Sequence, residues 1–419
     1  MLALNGGAPV RTKEWPKWPF WTKGTLRKLN RTARSGRWAI SGPYMGSISE
    51  ERRFSHRFAE FNHSKYCVPT ANGTSSLLIA LESLDVGCGD EVLLPGLTWV
   101  ACPSTILNVN ATPVFVDIDP NTLSISIDDL ISKTTKRTKC VLLVHLYCSL
   151  NDMTEMKKVS RELGVPIIED CSHAHGAEWK NQKAGTIGEV GCFSMQQTKV
   201  LTCGEGGAAI TNSPRLFERL EQLRSDGRRF ASHPKQGEME LEEGSEVMGN
   251  NYCLSEFHAA LLNDQIERLD EQNRIRQRNA RYLDEKLRKL GGLKPVARPP
   301  EANKITYYHY AIRFDPDSFA NRPLTVICRA LERELGFPFT APYEPLTHNP
   351  LYRPWTKRRY VWALRGKSNK KYELKGADEV HQSYVTFHHA ALLGTTRDMD
   401  DIVSAFAKIQ IYSDNLPVR

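Results

Sequence analysis

The chain has 419 residues, 40% of them hydrophobic and 25% charged, with 28 Gly and 23 Pro. That balance describes a globular protein with a sizeable core, at roughly 150 residues per domain about two to three domains, and excludes collagen-like, coiled-coil and disordered classes. Lys and Arg total 56 against 48 Asp and Glu, a net charge of +8, less than a nucleic-acid binder usually concentrates on one face.

The chain opens Met1-Leu2-Ala3-Leu4-Asn5 with no basic stretch leading into an apolar one, and no run reaches the length of a bilayer span. A cytoplasmic protein without membrane contact is therefore expected. Ten cysteines lie at irregular spacings, with no CxxC pair or neighbouring His of the kind structural zinc demands. They read as buried free thiols, and no metal site is expected.

In chain order, the first chemical signal is Thr70-Ala-Asn-Gly-Thr-Ser-Ser76, followed by the apolar Leu77 to Leu81. Small residues and hydroxyls opening a helix leave free N–H groups and a positive dipole end that can hold a phosphate. An ordinary N-cap accounts for the same residues.

From Glu91 to Asp170, short apolar runs alternate with amphipathic ones. Glu91 to Pro95, Pro113 to Asp117, Cys140 to His145 and Pro166 to Asp170 predict buried parallel strands. Asp128 to Lys133 and Met153 to Leu163 predict helices, the second with Asp152 or Thr154 as cap. This alternation predicts an α/β layered fold. Asp170 closes one apolar run, and in such sheets ligands sit outside the carboxyl ends of strands. Capping of a following helix is the competing use of that carboxylate, and His173 taken alone reads as a structural histidine.

Val190 to Ser194 and Gly207 to Thr211 predict two more strands around a loop, Met195 to Gly206, that contains Lys199. Hydroxyls at Ser194 and Thr198 and glycines at 204, 206 and 207 surround that lysine. A phosphate site, a strand-end carboxylate and a loop lysine are together what pyridoxal phosphate needs. Leu254 to Leu290 predicts one long helix or two in series leading toward a second domain, followed by a strand in Tyr307 to Phe314 and a helix at Leu324 to Leu335. Tyr343 to Lys375 is rich in Pro, Arg, Lys and aromatic residues.

With Ala71-Asn-Gly-Thr74, Gly89-Asp-Glu-Val92, Pro95-Gly-Leu-Thr-Trp99, Glu169-Asp-Cys-Ser-His-Ala-His-Gly176, Phe193-Ser-Met-Gln-Gln-Thr-Lys199 and Gly204-Glu-Gly-Gly207 in hand, the chain resembles the DegT/DnrJ/EryC1/StrS family of aminotransferases. The resemblance runs along nearly its whole length. Within the family it is most similar to the aminotransferases that carry nitrogen from L-glutamine to 2-deoxy-scyllo-inosose or scyllo-inosose in aminoglycoside antibiotic biosynthesis. The stretches behind that likeness are Ser35-Gly-Arg-Trp-Ala-Ile-Ser-Gly42, Tyr66-Cys-Val-Pro-Thr70, Asn250-Asn-Tyr-Cys-Leu-Ser-Glu-Phe257 and Asn349-Pro-Leu-Tyr-Arg-Pro-Trp-Thr-Lys357.

The resemblance implies the fold-type I architecture of aspartate aminotransferase. A large domain with a mainly parallel sheet and an N-terminal arm would span 1–270, and a smaller α+β domain 271–419. It implies pyridoxal 5′-phosphate as cofactor, with pyridoxamine phosphate between two half-reactions, and a homodimer with shared sites. Lys199 becomes the Schiff-base lysine and Asp170 the partner of the pyridine nitrogen. Trp99 stacks on the ring and His173 sits near its phenolic oxygen. Gly73, Thr74 and Ser194 hold the phosphate, and Asn251 reaches the phosphate of the neighbouring subunit. Cys253 stands where many relatives carry an Arg two residues after that Asn. Trp38, Tyr44, Tyr343, His388 and His389 are available to a polyhydroxylated ketone, without individual assignment.

Two other readings compete. One is another transaminase of the same family, acting on a nucleotide-linked keto sugar or resembling aminohydroxybenzoate synthase. The other is a regulator or nucleic-acid binder using the basic run Arg353, Lys357, Arg358, Arg359, Arg365, Lys367, Lys370 and Lys371, interleaved with Tyr352, Trp355, Tyr360 and Trp362. That alternative leaves residues 70 to 74, 170 and 199 without a task.

Overall fold

A computed structural model describes residues 1–360 and 372–418. The short apolar runs become the strands of one seven-stranded sheet: β1 (Tyr66–Thr70), β2 (Glu91–Pro95), β3 (Thr112–Val116), β4 (Thr138–Val144) and β5 (Ile167–Asp170), then, after a small hairpin of β6 (Glu178–Trp179) and β7 (Gln182–Lys183), β8 (Val190–Ser194) and β9 (Gly207–Thr211). Their spatial order is β1-β9-β8-β5-β4-β2-β3. The five strands from β3 to β8 run parallel, while β9 is antiparallel to both β8 and β1. Every residue of β2, β3 and β5 is buried, because helices cover both faces of the sheet and leave no polar side to alternate with.

Those helices are α1 (Lys23–Ser35), α2 (Glu50–Phe61), α3 (Gly73–Ser83), α4 (Ala101–Asn108), α5 (Ile127–Lys133), α6 (Met153–Leu163) and α7 (Pro214–Arg224). The expected cap of α6 is Asp152, whose carboxylate accepts from the N–H groups of Thr154 and Glu155 at 3.0 Å each. Gly164, in the left-handed region at φ +64°, ends it. Helices α1 and α2 were not singled out from the sequence; both are polar on most of their surface and bury only a narrow stripe.

After a second hairpin, β10 (Arg228–Phe230) with β11 (Leu241–Glu243), one 35-residue helix, α8 (Glu256–Leu290), packs on α1 and α2 and, further along, on the helix Thr396–Ile411. The division expected after residue 270 thus falls inside a continuous helix. Beyond it, β12 (Leu293–Pro295), β13 (His309–Phe314), β14 (Phe339–Thr340) and β15 (Tyr384–His388) form an antiparallel sheet in the order β12-β13-β15-β14. It is flanked by α9 (Leu324–Leu335) and the helix Thr396–Ile411.

The first residues of the chain pack on this second unit. Glu334 accepts from the N–H groups of Ala3 at 2.8 Å and Val10 at 3.0 Å, and Arg11 pairs with Asp398 and Asp401. All ten cysteines are free thiols and eight are buried, whereas Cys88 is exposed and Cys253 half-buried, both lying in loops. No described helix is long and apolar enough to cross a membrane. Of the basic run, Tyr360 is buried against Leu107, so it offers no free ring for a base. Trp362, Arg365, Lys367, Lys370 and Lys371 lie outside the described residues.

Candidate active site

The strand directions bring the chemistry to one edge. Asp170 ends β5, Ser194 ends the parallel neighbour β8, and Thr70 ends β1, which runs the same way because β9 between them is antiparallel to both. Helix α3 starts directly after β1, so its N-terminus meets the strand ends. A cavity of about 460 Å³ opens there, lined among others by Gly73, Thr74, Trp99, Asp170, His173, Ser194 and Lys199. Seven of the eight expected site residues therefore share one space.

At the α3 end, Asn72 caps the helix by accepting from the N–H of Ser75 at 2.8 Å. The N–H groups of Gly73 and Thr74 are left at the open first turn. A Cβ on Gly73 would stand 2.6 Å from the Ser194 Cβ, so glycine is what lets the helix start lie against β8. Thr74 is exposed and Ser194 half-exposed, both on the cavity wall.

Asp170 is buried, and its carboxylate accepts from the Ser172 N–H at 2.9 Å and from the Cys102 thiol at 3.3 Å. No helix follows β5, so the carboxylate closes a turn instead of capping. Its neighbour Glu169 points away into the core, where His145 and the N–H groups of Gly185, Ile187 and Gly188 occupy both oxygens. That leaves the buried group His145, Glu169 and Cys171 no free carboxylate lone pair to offer a cation.

Lys199 is only 9% exposed. Burial pulls its amine down to about 8, with the Asp170 carboxylate opposing. Its Nζ lies over the ring of Tyr308, and among the described residues it has no salt bridge. His173 is also stacked on the Tyr308 ring, with centroids 4.0 Å apart. Burial first, then the Lys199 charge, keeps its imidazole neutral. Because Nδ1 accepts from the Tyr147 N–H at 3.1 Å, the single ring proton sits on Nε2.

Among the lining residues, Tyr308 has no signal of its own in the sequence, whereas Tyr343 stands among the five candidates for the ketone. Tyr308 and Tyr343 come from the second unit, and burial holds both phenols in the protonated form. Tyr308 also exchanges a 3.0 Å hydrogen bond with the Thr198 hydroxyl. The apolar alternation of Tyr307 to Phe314 marked a strand, but nothing in one sequence says which of its residues meets another unit. Cys102, Gln196 and Glu205 also line the space.

Asn251 is exposed and outside the cavity, its side chain accepting from the Cys253 N–H at 3.2 Å. Of the five candidates for the ketone only Tyr343 lines the cavity. Trp38 is exposed, with its indole donating to Ala33, and Tyr44 lies in the loop before α2. His388 and His389 turn to the backbone of the Lys199 loop. The assembled groups can hold an anion at the α3 start, keep a proton on a buried ring nitrogen, and present an amine that loses its proton near pH 8.

Comparison with known proteins gives the family and the fold. Residues 22–407 match the DegT/DnrJ/EryC1/StrS aminotransferase family. L-glutamine:2-deoxy-scyllo-inosose aminotransferase of Streptoalloteichus tenebrarius is 50% identical over 414 residues, covering 97% of both chains. L-glutamine:scyllo-inosose aminotransferase of Streptomyces griseus is 43% identical over 412 residues, again 97% of each. Among solved structures, 3-amino-5-hydroxybenzoic acid synthase superposes with a TM-score of 0.79 at 26% identity over 95% of this chain and 99% of that one. An aminotransferase from Psychrobacter cryohalolentis gives 0.81 at 26% over 96% and 100%.

Proposed function

The chain belongs to the DegT/DnrJ/EryC1/StrS aminotransferase family, and from that premise we propose that it transfers the amino group of L-glutamine to the ring ketone of 2-deoxy-scyllo-inosose or scyllo-inosose, with pyridoxal phosphate as cofactor. The convergence of Lys199, Asp170 and the α3 start on one cavity carries the chemistry. The substrate class rests on the identity with relatives of that activity.

The residues fit the cofactor. The Gly73 to Ser194 contact leaves an uncluttered helix N-terminus for a phosphate dianion, with the Thr74 and Ser194 hydroxyls beside it. Asp170 is a buried carboxylate whose present donors, one backbone N–H and one weakly donating thiol, leave lone pairs free to accept from a protonated pyridine nitrogen. Trp99, on the wall at the end of β2, offers a face to stack on the ring. When bound, pyridoxal phosphate supplies an electron sink for the carbon that loses its proton.

The chain's own groups do the rest. Lys199 Nζ would hold the cofactor and, when free, would be the group that takes the proton from the donor's α-carbon and gives one back; an amine near pKa 8 suits both directions. His173, with its proton on Nε2, would donate to the cofactor's phenolic oxygen. Tyr308 and Tyr343, both protonated, border the space where a hydroxylated ring would lie. The second half-reaction uses the same groups in reverse, after the keto acid leaves. Asn251, exposed and outside its own cavity, suits a contact with the phosphate of a second copy, as in a homodimer with shared sites.

The test is the absorption spectrum of protein loaded with pyridoxal phosphate. The band should be lost on adding L-glutamine and return with 2-deoxy-scyllo-inosose. A band that glutamine leaves unchanged, or that survives Lys199→Ala, refutes the reading.

A further inference from the structure

Nothing in the composition of the loop Met195 to Gly206 makes it rigid, and it carries no helix or strand. Yet the carbonyl of Thr198, the residue before the lysine, accepts from two imidazoles at once: His388 Nε2 at 2.9 Å and His389 Nε2 at 3.1 Å. Both rings are buried enough to stay neutral, His389 further discouraged from charging by Arg276. Each has its Nδ1 already used as an acceptor, from the Ala390 N–H at 3.3 Å and from Arg276 Nε at 3.2 Å respectively. The one proton of each ring therefore sits on Nε2, and both donate to the same oxygen.

The support behind them is also buried. Arg276, in the middle of α8, is fully buried, pairs with no carboxylate among the described residues, and donates from Nη1 to Asn273 at 3.0 Å. A guanidinium cannot accept, so it forces the acceptor role on His389 Nδ1. Trp18 of the N-terminal segment meets the His389 ring edge-on at 4.6 Å and donates to the Gln197 carbonyl at 3.0 Å. Residues from the chain start, α8 and the end of β15 thus converge on a loop that belongs to the large sheet. Neither histidine lines the cavity, so substrate contact does not explain them.

We propose that His388 and His389, with Arg276 behind His389, are positioning residues that fix the peptide between Thr198 and Lys199 and so aim the lysine amine. This rests on the reading of Lys199 as the reactive lysine. The energetic logic is that a carbonyl with both lone pairs engaged by buried donors cannot rotate without leaving two of them unpaired. A misplacement of the amine by about 1 Å costs up to ~100-fold in rate.

The experiment compares wild type with His389→Phe, which keeps a ring but removes the donor, and His389→Gln, whose amide can restore one. His389→Phe should slow the glutamine half-reaction about 10- to 100-fold, with the KM for L-glutamine little changed. Hydrogen exchange of the 195–203 backbone should accelerate in the cofactor-free protein, and His389→Gln should recover part of both effects. An unchanged rate, or unchanged exchange in that segment, overturns the proposal. Should His389→Phe fail to fold, His388→Gln with His388→Leu carries the same two readouts. Borohydride reduction of loaded wild type followed by peptide mapping tests Lys199 separately: a label elsewhere sinks the lysine assignment, whatever the loop does.

Discussion

The amine nitrogen of Lys199 stands 3.9 Å from the centre of the Tyr308 ring, held there by the second unit while its own backbone belongs to the first. The ring face and the Asp170 carboxylate favour the ammonium there, and burial works against the charge.

That burial sets a pH dependence. A lysine lowered to about 8 is mostly neutral above pH 8 and mostly protonated below it. Only the neutral amine attacks a carbonyl. Cofactor capture by the cofactor-free protein should therefore rise with pH through a midpoint near 8, measured by stopped-flow absorbance. A midpoint near that of an ordinary lysine would mean the amine is solvated. Lys199→Ala should abolish covalent retention after borohydride reduction.

Asp170→Asn keeps an oxygen for the Ser172 N–H but cannot hold a proton on a ring nitrogen by charge. Cofactor should still bind, while the half-reaction with L-glutamine slows about 10²- to 10³-fold, the usual cost of removing one preorganised charge partner. Single-turnover absorbance decides it.

Gly73→Ala would place a methyl 2.6 Å from the Ser194 Cβ and 2.9 Å from its Cα. The Ser194 backbone, held in β8, leaves little room to yield. We expect a loss of about 1–3 kcal/mol in stability and weaker cofactor retention on dialysis, because the helix start must back away from β8. Urea unfolding and a dialysis series check the two effects.

Glu51 and Arg224 form a fully buried ion pair between α2 and the end of α7, and Arg224 also donates to the Pro69 carbonyl of β1 at 3.3 Å. Removing one partner strands the other's charge in the core. Glu51→Ala should therefore destabilise the fold by about 3–5 kcal/mol, read by urea unfolding of the cofactor-free protein. Activity per folded molecule should be nearly unchanged, since neither residue lines the cavity.

Asn251 offers a test of shared sites. If it serves a second copy, Lys199→Ala and Asn251→Ala chains are each impaired, yet mixing and refolding them together should restore activity that neither has alone, from dimers holding one intact site. No recovery on mixing would place Asn251 outside the partner's site.

Sequence by itself determined the large sheet and most of the site on it. Short apolar runs such as Pro113 to Val116 and Cys140 to Val144 read as strands covered on both sides, and once their order alternates with helices the carboxyl-end residues Asp170 and Ser194 and the start of α3 share an edge. The loop between β8 and β9 added Lys199 to that edge, and resemblance to the family added Trp99 and His173. Local pattern carries this information because each residue's role follows from its own element.

What tertiary structure alone decided is everything that depends on one unit meeting another. Tyr308 and Tyr343 enter the cavity, and His388 and His389, open from sequence to a substrate role, turn to the Thr198 carbonyl instead. The first fifteen residues dock on the second unit, and α8 runs unbroken past residue 270. A strand's alternation says which side chains are buried but not against what, since the partner surface lies a hundred or more residues away and its approach is fixed by packing, which leaves no periodic trace in the chain.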